Sequence, residues 1–101
     1  MYSLHTEFGS WNDVSIDMNT YVHGNRLAIS LLSAMDGFLC TLSTNIVEEE
    51  LTDEKCFFVD TNNCPFAERF LVDNHLATPT GRLGLSGFCV YPEYRYINKE
   101  N

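Results

Sequence analysis

The sequence predicts an α+β fold, an antiparallel sheet of about five or six strands with one main helix packed on it. Three observations carry that reading. Apolar residues alternate with polar ones over several short stretches, which is the period of a half-buried strand. Turn-forming pairs separate those stretches, Asp36-Gly37 above all. One segment, Phe66 to Leu71, groups its apolar residues at helical spacing directly after Pro65. The 101 residues are expected to form a single domain, 1–101. With 45% hydrophobic residues, the chain has the material for a conventional core and needs neither metal nor disulfides to fold.

Taken in order, Tyr2, Leu4, Thr6 and Phe8 alternate with polar neighbours, as do Val14, Ile16 and Met18 beyond Gly9-Ser10 and Trp11, so a first hairpin is expected. His23-Gly24-Asn25 then punctuates the chain ahead of Leu27, Ile29 and Leu31. Asp36-Gly37 divides that run from Phe38 to Leu42, and both positions accept the positive φ of a type I′ turn. Strands are expected near 26–34 and 38–44. Residues 46–55 carry too much charge to be buried and are expected as a loop or one solvated helical turn.

Cys56-Phe57-Phe58-Val59 reads as a buried strand, ended by Asp60-Thr61-Asn62-Asn63, residue types that cap helices or turn the chain. The helix should start around Pro65, present Phe66, Ala67, Phe70 and Leu71 as one stripe, and stop near Asn74 or His75. Residues 78–87 are expected as an irregular loop. Phe88 to Tyr91 form a strand that Pro92 places at an edge or stops, with Tyr94 and Tyr96 as its continuation.

Fourteen acids against six bases give a net charge of −8, opposite to the basic footprint that a phosphate backbone attracts, so direct nucleic-acid binding is not expected. The imbalance is concentrated in residues 1–50, with seven acids and Arg26 as the one base. Cys40, Cys56, Cys64 and Cys89 show none of the paired short spacings of a zinc knuckle or redox dithiol and read as reduced thiols. The first residues lack a basic stretch followed by an apolar run, and no segment approaches the ~20 apolar residues of a membrane span. A cytoplasmic location without membrane contact is the expectation.

Several groups are candidates for function. Glu48, Glu49, Glu50, Asp53 and Glu54 form an acidic run that either solvates one face or mimics a phosphate backbone toward a basic partner. Tyr91 and Tyr94 join that partner-binding set, because tyrosine offers area and a polar tip at low entropic cost. Gly81, Arg82, Gly84 and Ser86, with Asp60, Asn62 and Asn63, form a candidate small-ligand site. Evenly spaced glycines let backbone amides approach an anion, although the spacing fits neither the dinucleotide nor the Walker pattern. Capping and tight turns are the simpler account of both groups. Cys64 stands near a helix start, where partial positive charge favours a thiolate, yet His5, His23 and His75 show no convergence on it. No catalytic residue, metal ligand or cofactor is assigned.

Asn25-Arg26-Leu27-Ala28-Ile29, Phe58 through Pro65, and Thr80-Gly81-Arg82 with Ser86 through Pro92 resemble a family of small bacterial proteins of unknown function. That family is carried by phages, plasmids and conjugative elements. The resemblance runs from Asn25 to Tyr94 and brings no catalytic residue with it. What it implies is a setting in which small proteins blunt a host defence. Acidity and setting together lead to the expectation of a protein inhibitor of the anti-CRISPR kind. Its partner would be a protein, a CRISPR nuclease or another nucleic-acid-handling defence enzyme, whose basic groove it occupies by charge mimicry. The alternative is a protein that binds or sequesters a nucleotide through residues 81–87.

Overall fold

In the computed structural model, which describes residues 1–97, eight strands and one short helix follow in the order β1 (Tyr2–Thr6), β2 (Gly9–Thr20), β3 (Leu27–Ser33), β4 (Gly37–Thr41), β5 (Ser43–Thr44), β6 (Cys56–Val59), α1 (Ala67–Asp73), β7 (Ala77–Ser86) and β8 (Cys89–Tyr96). The fold is α+β, as the alternation predicts. The strands do not form one sheet of five or six, however, but two antiparallel sheets of four, ordered β1-β2-β3-β4 and β5-β6-β8-β7. The helix has seven residues, short of a main helix laid across a sheet.

One residue separates the sheets. Leu42, between β4 and β5, donates its N–H to Ile29 O (2.8 Å) in the first sheet and accepts Asp60 N–H (2.7 Å) beside the second. The neighbouring Ser43 hydroxyl accepts the Ile29 N–H (2.9 Å). The one strand expected near 38–44 therefore serves two sheets, which a pattern of alternation cannot reveal.

The first sheet is a meander. Its opening turn falls at Glu7 and Phe8, ahead of Gly9, so Phe8 is an exposed turn residue rather than part of a strand. Between β2 and β3, Gly24 (φ 81°) and Asn25 (φ 51°) take left-handed conformations, and Tyr21 N–H closes the loop on Arg26 O (2.8 Å). The β3–β4 turn departs from type I′: of Asp36 and Gly37, only Gly37 (φ 77°) is left-handed, and Ser33 pairs directly with Gly37. Asp36 is used otherwise, its carboxylate accepting the Trp11 indole N–H (2.8 Å). Asp13 secures the same turn by accepting the Ser33 hydroxyl and the Met35 N–H (3.0 Å), contacts that hold its carboxyl below the usual range.

The main core lies between the sheets and the helix. Ile29, Leu31, Leu42, Phe57, Val59 and Tyr94 meet Ala67, Phe70 and Leu71, the stripe read from helical spacing. The helix ends as anticipated at Asn74, followed by His75 in the left-handed region (φ 56°). Phe66 stands at its N-cap and makes no side-chain capping bond: Asp60 instead folds the preceding turn, accepting both the backbone N–H and the side-chain amide of Asn63.

Residues 78–87 form most of β7 instead of a loop. They pair with β8 across a two-residue turn, Gly87-Phe88, in which Gly87 alone has positive φ (60°), as in a type II′ hairpin. Pro79 is accommodated because β7 is an edge strand. Pro92 neither stops β8 nor lies at an edge, since β8 sits between β6 and β7; it falls one residue past the last β6–β8 pair, Phe58↔Glu93, so no bond to β6 is lost there. A bulge interrupts the β7 register between Pro79 and Leu83, with Gly81 (φ 94°) supplying its left-handed residue.

β6 is buried at all four positions because both its faces are covered. Phe57 and Val59 enter the main core, while Cys56 and Phe58 are buried outside it, with Ile46 from the acidic loop. Gly84 completes this smaller cluster: a Cβ there would stand 2.6 Å from Phe58 Cε1 and 2.9 Å from Ile46 Cδ1. Gly84→Ala is therefore expected to destabilise the chain by about 1–3 kcal/mol in urea unfolding. Adding Phe58→Leu should recover part of that loss, and no recovery would place the strain elsewhere.

Candidate functional site

The acidic segment, residues 46–55, forms neither helix nor strand and is held by three arginines from outside it. Arg26 donates to the carbonyls of Ile46 (2.7 Å) and Glu49 (2.6 Å). Arg82 donates to the Glu50 carbonyl and approaches the Glu49 carboxylate at 3.9 Å. Arg95 binds Asp53 through Nε and Nη2 at 3.1 and 2.8 Å, which lowers the Asp53 pKa and raises its own. Such contacts satisfy carbonyls that a loop would leave to water and give the segment one conformation.

Beneath it lies Glu93, a fully buried carboxylate (0% exposed). Its oxygens accept Thr52 N–H (2.8 Å), the Thr52 hydroxyl (2.6 Å), the Thr80 hydroxyl (2.5 Å) and Arg82 Nη1 (3.1 Å). Burial alone would raise its pKa, but the hydrogen bonds from both threonines and the nearby Arg82 charge outweigh it, leaving the group below its ordinary value. Glu93 is what the β7 bulge faces: Thr80, Gly81 and Arg82 lie where the register slips, and the slip aims Thr80 and Arg82 at one carboxylate.

The two candidate sites of the sequence thus share ground. Glu49, from the acidic run, accepts the Leu85 N–H (3.0 Å) through its carboxylate, and Arg82 and Gly84, from the glycine-spaced segment, hold the loop from below. Arg82 is committed to Glu93 and the loop. Glu48, Glu50 and Glu54 are exposed, as is Asp53 with its arginine partner, while Glu49 is half-buried. Ser86 is exposed beside the hairpin turn.

Tyr94 is buried, and its hydroxyl donates to Glu68 (2.7 Å); burial and that carboxylate raise its pKa. It is a core residue rather than a partner contact, because its face of β8 belongs to the main core with Phe57, Val59 and Leu71. Tyr91 stays half-buried, its pKa raised by the neighbouring Cys89 thiol. Asp60 and Asn63 are joined in their own turn, and Asn62 is exposed next to them; no hydrogen bond among the described residues links the three to Gly81, Arg82, Gly84 or Ser86.

Cys64 is buried, and its thiol donates to Thr41 O (3.4 Å) beside Cys40. The Cys40 thiol lowers the Cys64 pKa, and the same contact with burial raises that of Cys40. Packing explains its place in the chain. Cys40, Phe8, Trp11, Phe38 and Phe66 line an open groove of about 1010 Å³ whose rim mixes Glu7 and Glu68 with Arg69. Among the described residues, no His, Cys, Asp or Glu group of three or more is arranged to hold a metal, and no helix is long and apolar enough to cross a membrane.

Glu93 and Arg26 carry the site although neither was among its candidate residues; Arg26 stood only in the Asn25 to Ile29 motif and as the one base of residues 1–50. Glu93 did leave a signal, a lone acid inside the otherwise apolar and aromatic Tyr91-Pro92-Glu93-Tyr94 strand. A family model described as a domain of unknown function (DUF4313) matches residues 15–100, a span that includes every motif from Asn25 to Tyr94. Neither a curated protein nor a solved structure matches the chain.

A carboxylate with a depressed folded pKa stabilises the fold above its unfolded value, near 4.5 for Glu93, and that contribution is lost as pH falls through the folded pKa. Glu93→Gln is expected to cost about 1–3 kcal/mol at neutral pH, with the half-exposed Arg82 keeping the loss below that of a fully buried pair. Urea unfolding at neutral pH and at about pH 3 checks this. The variant should lose less stability on acidification than the parent, and parallel losses would remove Glu93 from the account.

Proposed function

The chain belongs to the family described as a domain of unknown function (DUF4313), and we propose that it acts as a protein inhibitor whose acidic surface occupies the basic, nucleic-acid-binding groove of a partner. One observation carries the reading. The arginines facing the acidic segment grip it from beneath, through backbone carbonyls and the carboxylates of Glu93, Glu49 and Asp53, while Glu48, Glu50 and Glu54 project to solvent. None of those three forms an ion pair among the described residues. A row of carboxylates on a braced loop presents negative charge at little cost in ordering when it binds. The same field steers encounter with a positive surface.

The partner class we infer is a nucleic-acid-handling defence enzyme, a CRISPR nuclease among them, in a cytoplasmic setting. The resemblance to proteins of phages and mobile elements supports that choice by analogy. Nucleotide sequestration draws less support. Residues 81–86 are strand, and Arg82 is already engaged by Glu93.

Replacing Glu48, Glu50 and Glu54 together by Lys tests the reading without touching the braced contacts. In capture from bacterial lysate at low and raised salt, the parent chain is expected to retain a basic nucleic-acid-binding protein and release it as salt rises. The triple variant, with unchanged circular dichroism, should retain at least about tenfold less. Equal retention by both chains, at either salt, would sink charge mimicry.

A further inference from the structure

The hairpin of β7 and β8 has a second side. The register Leu83↔Pro92 and Leu85↔Val90 places these residues on one face, opposite to Gly84, which turns toward Phe58 and Ile46. Leu83, Leu85 and Val90 are exposed on that face, and Phe88, at the tip of the two-residue turn, is fully exposed. Apolar groups gathered on one rigid ribbon mark a contact surface more often than a solvated one. The acidic loop reaches the free edge of the same ribbon, where the Glu49 carboxylate holds the Leu85 N–H.

We infer that the hairpin and its acidic edge imitate single-stranded nucleic acid, with Phe88 in the place of an unstacked base and the exposed carboxylates of Glu48 and Glu50 in the place of phosphates. This rests on the reading of the chain as an acidic ligand and names the groove it enters: a single-strand-binding groove in a protein. Such grooves combine basic side chains with aromatic platforms on which bases stack. An exposed ring at the tip of a ribbon whose edge the acidic loop grips at Leu85 has both halves of that chemistry, whereas a duplex mimic needs charge alone. A second copy of this chain is a poor occupant. Each copy carries a net charge of −8, so bringing two copies together is opposed by like-charge repulsion.

Two peptides serve as probes, one alternating Lys with Trp and a charge-matched one alternating Lys with Gly. Titrations followed by amide chemical shifts are expected to show at least about tenfold tighter binding of the Lys/Trp peptide. The shifts should centre on residues 83–90 and 47–50. Phe88→Ala and Leu85→Ser should each lower the Lys/Trp affinity toward the Lys/Gly level and leave the Lys/Gly affinity unchanged. Equal affinity for the two peptides, or no loss in either variant, would overturn the inference. So would shifts centred on Phe8, Trp11 and Phe38, or a dimer in sedimentation that Phe88→Ala abolishes. The parent reading fails separately, if the Glu48, Glu50 and Glu54 triple Lys variant binds Lys/Gly as the parent chain does.

Discussion

The carboxylate of Glu93 is the constraint from which the second sheet and its loop take their form. A charge with no exposed surface must have its oxygens occupied, and here two threonines and an arginine occupy them. Thr52 comes from the acidic loop, Thr80 and Arg82 from the β7 bulge, so satisfying one side chain sets the place of both segments. The bulge in turn demands the left-handed Gly81, and the loop brings Ile46 over Phe58 and Gly84 to close the smaller cluster. Removing that carboxylate would leave the cluster without the bonds that hold its lid.

Electrostatics divides the acids into two kinds. Glu93, Glu49, Asp53 and Asp13 are structural, each bound to arginine, threonine, serine or backbone amides. Glu48, Glu50 and Glu54 are left to solvent, on backbone that the structural acids and arginines have already ordered. The surface charge is thus supported by the internal charge. A loop with the same composition and no arginine beneath it would spread its carboxylates over many conformations and lose more entropy on meeting a partner.

Much of the fold was legible wherever neighbours along the chain decide the outcome. The buried strand 56–59, the stripe from Phe66 to Leu71 and the turn at His23-Gly24-Asn25 all follow from period or from residue type. The misses cluster where distant partners decide. Glycines and Pro79 made 78–87 read as loop, because propensity cannot see that an edge strand tolerates proline or that a bulge consumes Gly81. Tyr94 was placed in the partner-binding set because its neighbours along the chain do not show which face of its strand the core covers. At the site, the acidic run was visible and its bracing was not.

By itself, then, the sequence determined an α+β chain of one folding unit's length, rich in acid, with its charge gathered around residues 48–54 and family motifs mostly outside that run. Tertiary structure alone decided that the strands divide into two sheets at Leu42, that residues 81–86 are a ribbon, and which acids face water. The physical reason is separation along the chain. Periodicity and turn chemistry act over a few residues, whereas Thr52 meets Glu93 across 41 positions and Arg26 meets Glu49 across 23, contacts that exist only once the whole core has closed.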